Sequence, residues 1–164
     1  MRPMTIRTYT NLIIISLSVL IMDQFTKALV LNYIPLHHSI EVIPNLFNLT
    51  HIHNPGGAFG FLADQGPKIR GLVFIVISFV AAGLVVYFYT QTPASQPVMR
   101  SGFSLIFGGA IGNLVDRIRF GTVVDFLDFY IGDLHWPAFN VADSAITIGI
   151  GIFIYHLLFN RLPD

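Results

Sequence analysis

The sequence predicts an all-α membrane protein with four transmembrane helices and a small β-sheet platform at one membrane face. Apolar residues make up 54% of the 164 residues and charged residues only 11%, whereas a soluble domain carries about 25% charged residues. The chain therefore lacks the polar side chains that would cover a water-soluble surface. It also contains four apolar stretches close to the roughly 20 residues that cross a bilayer as a helix. We expect a single integral membrane domain covering residues 1–164.

The first predicted span covers about residues 12–34 and is interrupted by charged residues. Asp23 and Lys27 lie within it at i, i+4 spacing. A cleaved signal peptide is the alternative interpretation, because Arg2 and Arg7 precede the apolar run. No small-residue cleavage site follows that run, which favours a retained helix.

The other three spans cover about residues 69–90, 100–119 and 140–160. The second is the clearest, because nineteen uncharged residues reach roughly 28 Å at 1.5 Å per residue. The apolar part of the third is short for a hydrocarbon core of about 30 Å, so it is expected to extend through Asp116. The fourth carries Asp143 in its first turn.

Two connecting segments predict β-strands. Leu46 to His53 and Thr122 to Tyr130 are rich in β-branched and aromatic residues or alternate in polarity. With four spans, both segments fall on the same side of the membrane, so we expect them to form a small sheet lying on the bilayer. Pro35–Glu41 and Gln91–Val98 are predicted as loops. Four basic residues on each side of the membrane leave the orientation undecided by charge.

Asp125 and Asp143 are the principal candidates for chemistry. Ionisable groups at the edge of hydrocarbon are costly and indicate a functional site. Two carboxylates brought together cannot both ionise readily, so one holds a proton that polarises a peptide carbonyl while the other draws a proton from water. This is aspartyl protease chemistry. The alternative is structural, with Asn140 capping a helix that carries Asp143 in its first turn, and with Asp125 solvated in a loop.

Other polar residues in or near the spans have open roles. Arg117 can present a bidentate fork to a backbone carbonyl or carboxylate, with Asn113 on the same helical face; alternatively it is an interfacial arginine paired with Asp116. Asp23 and Lys27 suit a helical ion pair, with a proton relay as the alternative. Small residues in the third span, with Gly108 and Gly112 four apart, predict close helix packing.

The composition argues against several other kinds of site. There are no cysteines, so thiolate ligands, disulfides and thiol catalysis are excluded. His51 and His53 share a strand face, but neither belongs to a recognisable metal-binding pattern, and no metal site is expected. The net charge is zero and no basic tract is present, so nucleic acid is not an expected partner.

Five phrases occur in order along nearly the whole chain. They are Asp23-Gln24-x-x-Lys27, Asn54-Pro55-Gly56-Gly57-Ala58-Phe59-Gly60, Gly108-Gly109-Ala110-Ile111-Gly112-Asn113-Leu114-Val115-Asp116-Arg117, Gly121-Thr122-Val123-Val124-Asp125-Phe126 and Phe139-Asn140-Val141-Ala142-Asp143. Together they resemble the lipoprotein signal peptidase (signal peptidase II) family. Any one phrase is modest evidence for this resemblance, but the five phrases in order are highly specific to the family.

The resemblance implies a four-span enzyme of the bacterial cytoplasmic (inner) membrane, with both termini in the cytoplasm and the active site near the outer face. Its sheet would be an extracytoplasmic platform. Its substrate would be a prolipoprotein whose cysteine carries diacylglycerol, and the family cuts just before that cysteine. By the same resemblance, Asp125 and Asp143 form the catalytic pair. The residues that would hold the substrate backbone are Asn54, Asn113, Arg117 and Asn140, and those that would give structural support are Asp23 and Lys27.

The resemblance implies no metal and no cofactor. The expected partners are lipid-modified prolipoproteins and membrane lipid, and the expected state is a monomer. A small transporter or proton channel is the main alternative from another class, with Asp23, Lys27 and Asp116 as relay groups. Transporters are usually larger and built from internal repeats, and no convincing repeat is found here. A non-catalytic membrane scaffold would not explain two carboxylates at one interface.

Overall fold

The structure is a computed structural model that describes residues 6–56 and 66–159. Several residues used in the predictions therefore lie outside the described residues, namely Arg2, Gly57–Gly60, Asn160 and Arg161. The elements in chain order are α1 (Ile6–Tyr33), β1 (Ser39–Ile43), β2 (Phe47–Asn54), α2 (Pro67–Gln91), α3 (Pro97–Phe120), β3 (Val123–Ile131), β4 (Leu134–His135) and α4 (Val141–Phe159). Within this described part, all four helices are long and apolar enough to cross a membrane. The predicted four-span helical architecture with a small sheet is confirmed.

The helices extend beyond their apolar stretches, because helical hydrogen bonding continues through polar end turns that hydropathy does not count. α2 and α3 both begin at a proline, which lacks the N–H that a first helical residue cannot pair. α3 ends at Gly121, whose φ of 73° is the left-handed conformation that suits glycine, and the Gly121 N–H donates to the Arg117 carbonyl. Only Gly121 and Thr122 separate α3 from β3, so the end of the span fixes the start of the strand.

α3 is the central helix of the bundle and packs against the other three helices. Its small residues allow this contact. A methyl group at Gly108 would lie 2.9 Å from the Cα of Ser16, and one at Gly112 would lie 2.7 Å from Asp23 Oδ2. The predicted close packing at these glycines is confirmed.

The sheet is antiparallel, with strand order β1-β2-β3-β4. β2 and β3 coincide closely with the two predicted strands. The expectation that Pro35–Glu41 is a loop is wrong in part, because β1 begins at Ser39. β1 is exposed along its length and β4 has two residues, so neither edge strand carries the alternating burial that makes a strand recognisable.

An apolar cluster fastens the sheet to the end of α1. Val30 of α1 and Ile34, which directly follows α1, pack against Val124 and Phe126 of β3, and all four side chains are buried. The alternate residue of this strand, Asp125, is thereby presented away from the cluster. The fold thus anchors β3 on both sides of its acidic residue.

Candidate active site

Asp125 lies in the middle of β3, opposite Ile52 of β2. Its side chain is only 2% exposed. Two amides donate hydrogen bonds to its carboxylate: Asn54 Nδ2 to Oδ2 at 2.8 Å and Asn140 Nδ2 to Oδ1 at 2.7 Å. The alternative of a solvated loop residue is therefore wrong for Asp125.

Burial raises the pKa of Asp125 from 3.8 to about 7, because a buried carboxylate loses the water that stabilises its charge. The value of about 7 already includes the negative charge of Asp143, which also raises the pKa of Asp125, and the hydrogen bonds from Asn54 and Asn140, which lower it. The pKa of Asp125 therefore falls where a carboxyl group can gain or lose a proton near neutral pH.

Asp143 lies in the first turn of α4 and receives different donors. Asn113 Nδ2 donates to Asp143 Oδ1 at 2.7 Å, and the Asn140 backbone N–H donates to Oδ2 at 3.2 Å. The positive end of the helix dipole lies at this same position. These contacts stabilise negative charge on Asp143.

Asn140 links the two carboxylates and is completely buried. Besides its contacts with Asp125 and Asp143, its Nδ2 lies 3.2 Å from Asn113 Oδ1 and 3.3 Å from the Val124 carbonyl. Asp125 and Asp143 therefore share Asn140 as a common hydrogen-bond donor, through its side-chain amide and its backbone N–H respectively. The structure thus brings both predicted catalytic residues into one hydrogen-bonded cluster.

Arg117 lies beside this cluster on α3. Its Nη1 donates to the Asn113 carbonyl at 3.3 Å, and its guanidinium lies 5.7 Å from the ring centre of Phe74. It is within electrostatic range of both Asp143 and Asp125. Within the described residues it forms no direct ion pair, and its hydrogen bond to the Asn113 carbonyl uses one of its five N–H donors.

Asp23, Lys27 and Asp116 form a buried ion cluster next to the acids. Lys27 Nζ lies 2.8 Å from Asp23 Oδ2 and 2.9 Å from Asp116 Oδ2, and it donates to Asn113 Oδ1 at 3.0 Å. The predicted Asp23–Lys27 ion pair is confirmed. The alternative that paired Asp116 with Arg117 is wrong, because Asp116 binds Lys27 from the adjacent helix instead.

Gln24 belongs to this ion cluster and was not singled out from the sequence. Its Nε2 lies 3.1 Å from Asp23 Oδ2 and 3.0 Å from Asp116 Oδ1. An amide next to a charged residue within an apolar span was the signal that could have identified it. The contact of Asp116 with Lys27 depends on the packing of α3 against α1, which sequence spacing does not reveal.

The histidines on β2 have protein partners. His51 Nδ1 lies 2.7 Å from the Ile34 carbonyl, and His53 Nδ1 lies 2.8 Å from Thr122 Oγ1. In residues 6–56 and 66–159, no group of three or more His, Cys, Asp or Glu side chains is arranged to hold a metal. These histidines join the sheet to the ends of α1 and α3.

Comparisons with known proteins agree with this architecture. A model of the signal peptidase (SPase) II family matches residues 15–159. The lipoprotein signal peptidase of Desulforapulum autotrophicum is 52% identical over 98% of this chain and 99% of the relative, and that of Syntrophus aciditrophicus is 49% identical over 85% and 87%.

Two solved structures, each described as a bacterial membrane enzyme, share the fold. The first has a TM-score of 0.80 at 36% identity, covering 92% of this chain and 94% of that one. The second has a TM-score of 0.79 at 35% identity, covering 93% and 92%. Because sequence and fold agree over nearly the full length, this chain belongs to the signal peptidase II family.

Proposed function

We propose that this protein removes the signal peptide from diacylglyceryl-modified prolipoproteins by cutting the peptide bond just before the lipidated cysteine. In this proposal Asp125 and Asp143 act together as an aspartic endopeptidase pair. The observation that carries it is the placement of Asn140, which contacts both carboxylates at the start of α4. Membership in a family whose named relatives are lipoprotein signal peptidases supports the choice of substrate.

The surroundings of the two acids favour different protonation states. Asp125, with a pKa of about 7, is the member that holds a proton near neutral pH. Asp143 receives two N–H donors at a helix N-terminus, which favours the ionised form. The pair titrates as a coupled unit, so both groups contribute to each observed ionisation.

This assignment gives a complete hydrolytic cycle. Asp143 takes a proton from a water molecule as its oxygen bonds to the scissile carbonyl carbon, and Asp125 passes its proton to the carbonyl oxygen. When the tetrahedral intermediate collapses, the C–N bond breaks and the leaving nitrogen takes the proton from Asp143. A hydroxyl of the intermediate returns a proton to Asp125, which restores the starting state.

The four residues expected to hold the substrate backbone differ in how far their side chains are already engaged in hydrogen bonds within the protein. The side-chain amides of Asn54, Asn113 and Asn140 are committed to contacts within the cluster, so we propose that they orient the carboxylates. Among the described residues, the Arg117 side chain donates a hydrogen bond to the Asn113 carbonyl, and we propose that its other N–H donors bind a substrate backbone carbonyl. Asp23 and Lys27 support this arrangement from α1.

The site lies where the helices meet the sheet, which suits a substrate that never leaves the bilayer. A peptide with two acyl chains and an apolar signal helix presents its scissile bond near the interface, where water is available. We propose that the sheet and site face the outside of the bacterial cytoplasmic membrane, with both termini in the cytoplasm. We further propose that the chain acts as a single integral membrane domain and as a monomer surrounded by membrane lipid.

A gel-shift assay with a lipidated precursor and purified protein in detergent tests the proposal. We expect Asp125→Asn and Asp143→Asn to abolish cleavage while an added chelator leaves it unchanged. Asp133→Asn is the matched control, because Asp133 is exposed in the turn between β3 and β4. Cleavage at the wild-type rate by folded Asp125→Asn would overturn the proposal.

A further inference from the structure

Two buried carboxylates hold the backbone immediately before each acid of the proposed pair. Asp116 Oδ2 accepts the N–H of Val124 at 3.0 Å, and Val124 directly precedes Asp125. Asp23 Oδ1 accepts the N–H of Ala142 at 3.0 Å, and Ala142 directly precedes Asp143. The same kind of contact therefore fixes the chain at the same relative position on both sides of the site.

Lys27 connects these two contacts. Its ammonium bridges Asp23 at 2.8 Å and Asp116 at 2.9 Å, with all three side chains no more than 2% exposed. Its third contact is Asn113 Oδ1 at 3.0 Å. Because that oxygen accepts from Lys27, the amide nitrogen of Asn113 is turned towards Asp143, to which it donates at 2.7 Å.

The charge of the cluster explains why the backbone contacts are required. Two carboxylates and one ammonium leave one excess negative charge, and a buried charge without compensating partners is costly. The donors that compensate it are the N–H groups of Val124 and Ala142 and the amide of Gln24. The ion cluster is thus satisfied only when both backbone segments are held against it.

We propose that Lys27 is a positioning residue that sets the separation of Asp125 and Asp143 by bridging Asp23 and Asp116. This inference rests on the proposed catalytic role of that pair. Neither Lys27 nor the two bridged carboxylates takes part in proton transfer to the substrate. They act through the backbone at Val124 and Ala142, and through the orientation of Asn113.

The separation of the acids matters to the reaction in two ways. Their coupling decides over which pH range exactly one proton is shared, because the repulsion between two like charges falls with distance. Their placement also decides whether water and the scissile carbonyl meet in a reactive geometry, and a displacement of about 1 Å costs on the order of a hundredfold in rate.

The test uses the full chain in detergent with the lipidated precursor as substrate. Lys27→Met removes the bridge with little change in volume, and Lys27→Arg restores a charge with different geometry. Asp116→Asn keeps an oxygen for the Val124 N–H and leaves a neutral Asp23–Lys27 pair, so it remains informative if Lys27→Met does not fold. Lys68→Met is the control, because Lys68 is exposed at the start of α2.

In folded protein, we expect Lys27→Met to lower kcat about a hundredfold with KM within about twofold of wild type. Asp116→Asn should lower kcat by a smaller factor, and Lys27→Arg should recover part of the loss. A smaller folded fraction would also lower the apparent kcat at unchanged KM, so kcat is calculated per folded enzyme; a defect of folding alone then leaves kcat at the wild-type value.

The pH profile of kcat/KM supplies a second readout. Its two limbs report the coupled ionisations of the pair. We expect the interval between the limbs to narrow in both variants as the acids relax apart, whereas loss of folded protein lowers the whole curve without changing its width. The charged groups that face the site from the elements around it are Asp23, Lys27, Asp116, Arg117, Asp125 and Asp143.

The outcomes separate this inference from the proposed function. If Asp125→Asn is inactive while folded Lys27→Met and Asp116→Asn keep the wild-type kcat and pH width, the positioning role is overturned and the catalytic pair stands. If Asp125→Asn cleaves normally, the proposed function falls and the positioning role falls with it. A lower kcat with a narrower profile in both variants supports the inference.

Discussion

Asn140 and Asp143 cap each other across the first turn of α4. Asn140 Oδ1 accepts the Asp143 backbone N–H at 2.9 Å, and Asp143 Oδ2 accepts the Asn140 backbone N–H at 3.2 Å. This is the reciprocal arrangement of a capping box. The structural and catalytic interpretations of Asp143 are therefore compatible, since the same contacts that begin the helix also orient its carboxylate.

Asn140→Ser separates the capping role from the contact with Asp125. Serine is a good N-cap, so we expect the free energy of unfolding to change by less than about 1 kcal/mol. The variant loses the donor to Asp125, and losing a hydrogen bond to the charged form raises the pKa of that carboxyl. The alkaline limb of the pH–rate profile should move upward by about one pH unit. An unmoved alkaline limb would contradict the prediction.

Asp125 should make the stability of the protein depend on pH. Its pKa is about 7 in the folded state against an ordinary 3.8, so the folded state retains a proton that the unfolded state releases between these values. The free energy of unfolding therefore falls as the pH rises from about 4 to about 7, and the loss is complete above that range. The loss is on the order of 4 kcal/mol.

Asp125→Asn tests this dependence, because an amide mimics the protonated carboxyl and cannot ionise. We expect the Tm of the variant to match wild type near pH 4 and to exceed it by about 8–16 °C near pH 8. Thermal unfolding in detergent at the two pH values measures the difference. Asp133→Asn, at an exposed turn, should give no such pH-dependent gain; an equal gain there would assign the effect to overall charge.

Arg117→Lys should weaken substrate binding more than it lowers the chemical step. Lysine keeps the positive charge but loses the planar fork that can bind a carbonyl with two donors. We expect KM to rise about tenfold with kcat changed by less than about threefold, and the Tm to stay close to wild type because Arg117 forms no ion pair among the described residues. Arg119→Lys on the exposed end of α3 is the control. A lower kcat at unchanged KM would place Arg117 in the chemical step instead.

Gly108→Ala should destabilise the helix bundle. The added methyl would lie 2.9 Å from backbone atoms of Ser16 on α1, so the helices must separate or distort. We expect a loss of about 1–3 kcal/mol, read as a lower Tm in detergent. Gly83→Ala on α2 is the matched control, because nothing lies within 4 Å of the methyl it would add. Equal Tm values for the two variants would contradict close packing at Gly108.

The spans and the central strands could be predicted because their signals are local. Uninterrupted apolar runs identify helices that lipid must solvate, and β-branched and aromatic residues identify β2 and β3. The Asp23–Lys27 pair was also accessible, since i, i+4 spacing on one helix brings two side chains together. Short edge strands such as β1 and β4 lack a buried face and so leave no comparable pattern.

The partners of the polar residues depend on contacts distant in sequence. An Asp116–Arg117 ion pair was one of two interpretations of Arg117, but helix packing turns Asp116 to Lys27 on α1. Asn54 was expected to hold substrate, whereas its amide contacts Asp125 across the β2–β3 pair. Sequence phrases could group these residues at one site. Only the packing of α3 against α1 and α4 decides which of these polar side chains form hydrogen bonds and ion pairs with one another.

The i, i+4 spacing of Asp23 and Lys27 also bears on how the chain is inserted into the bilayer during synthesis. α1 emerges before α3, so its two charges must neutralise each other while Asp116 is still absent. The negative charge of Asp116 then joins an Asp23–Lys27 ion pair that is already neutral overall. The backbone N–H groups that compensate the excess negative charge of the cluster belong to β3 and α4, which follow α3 in the chain. In the order of the chain, the neutral pair on α1 comes first, Asp116 on α3 follows, and Asp125 and Asp143 come after both.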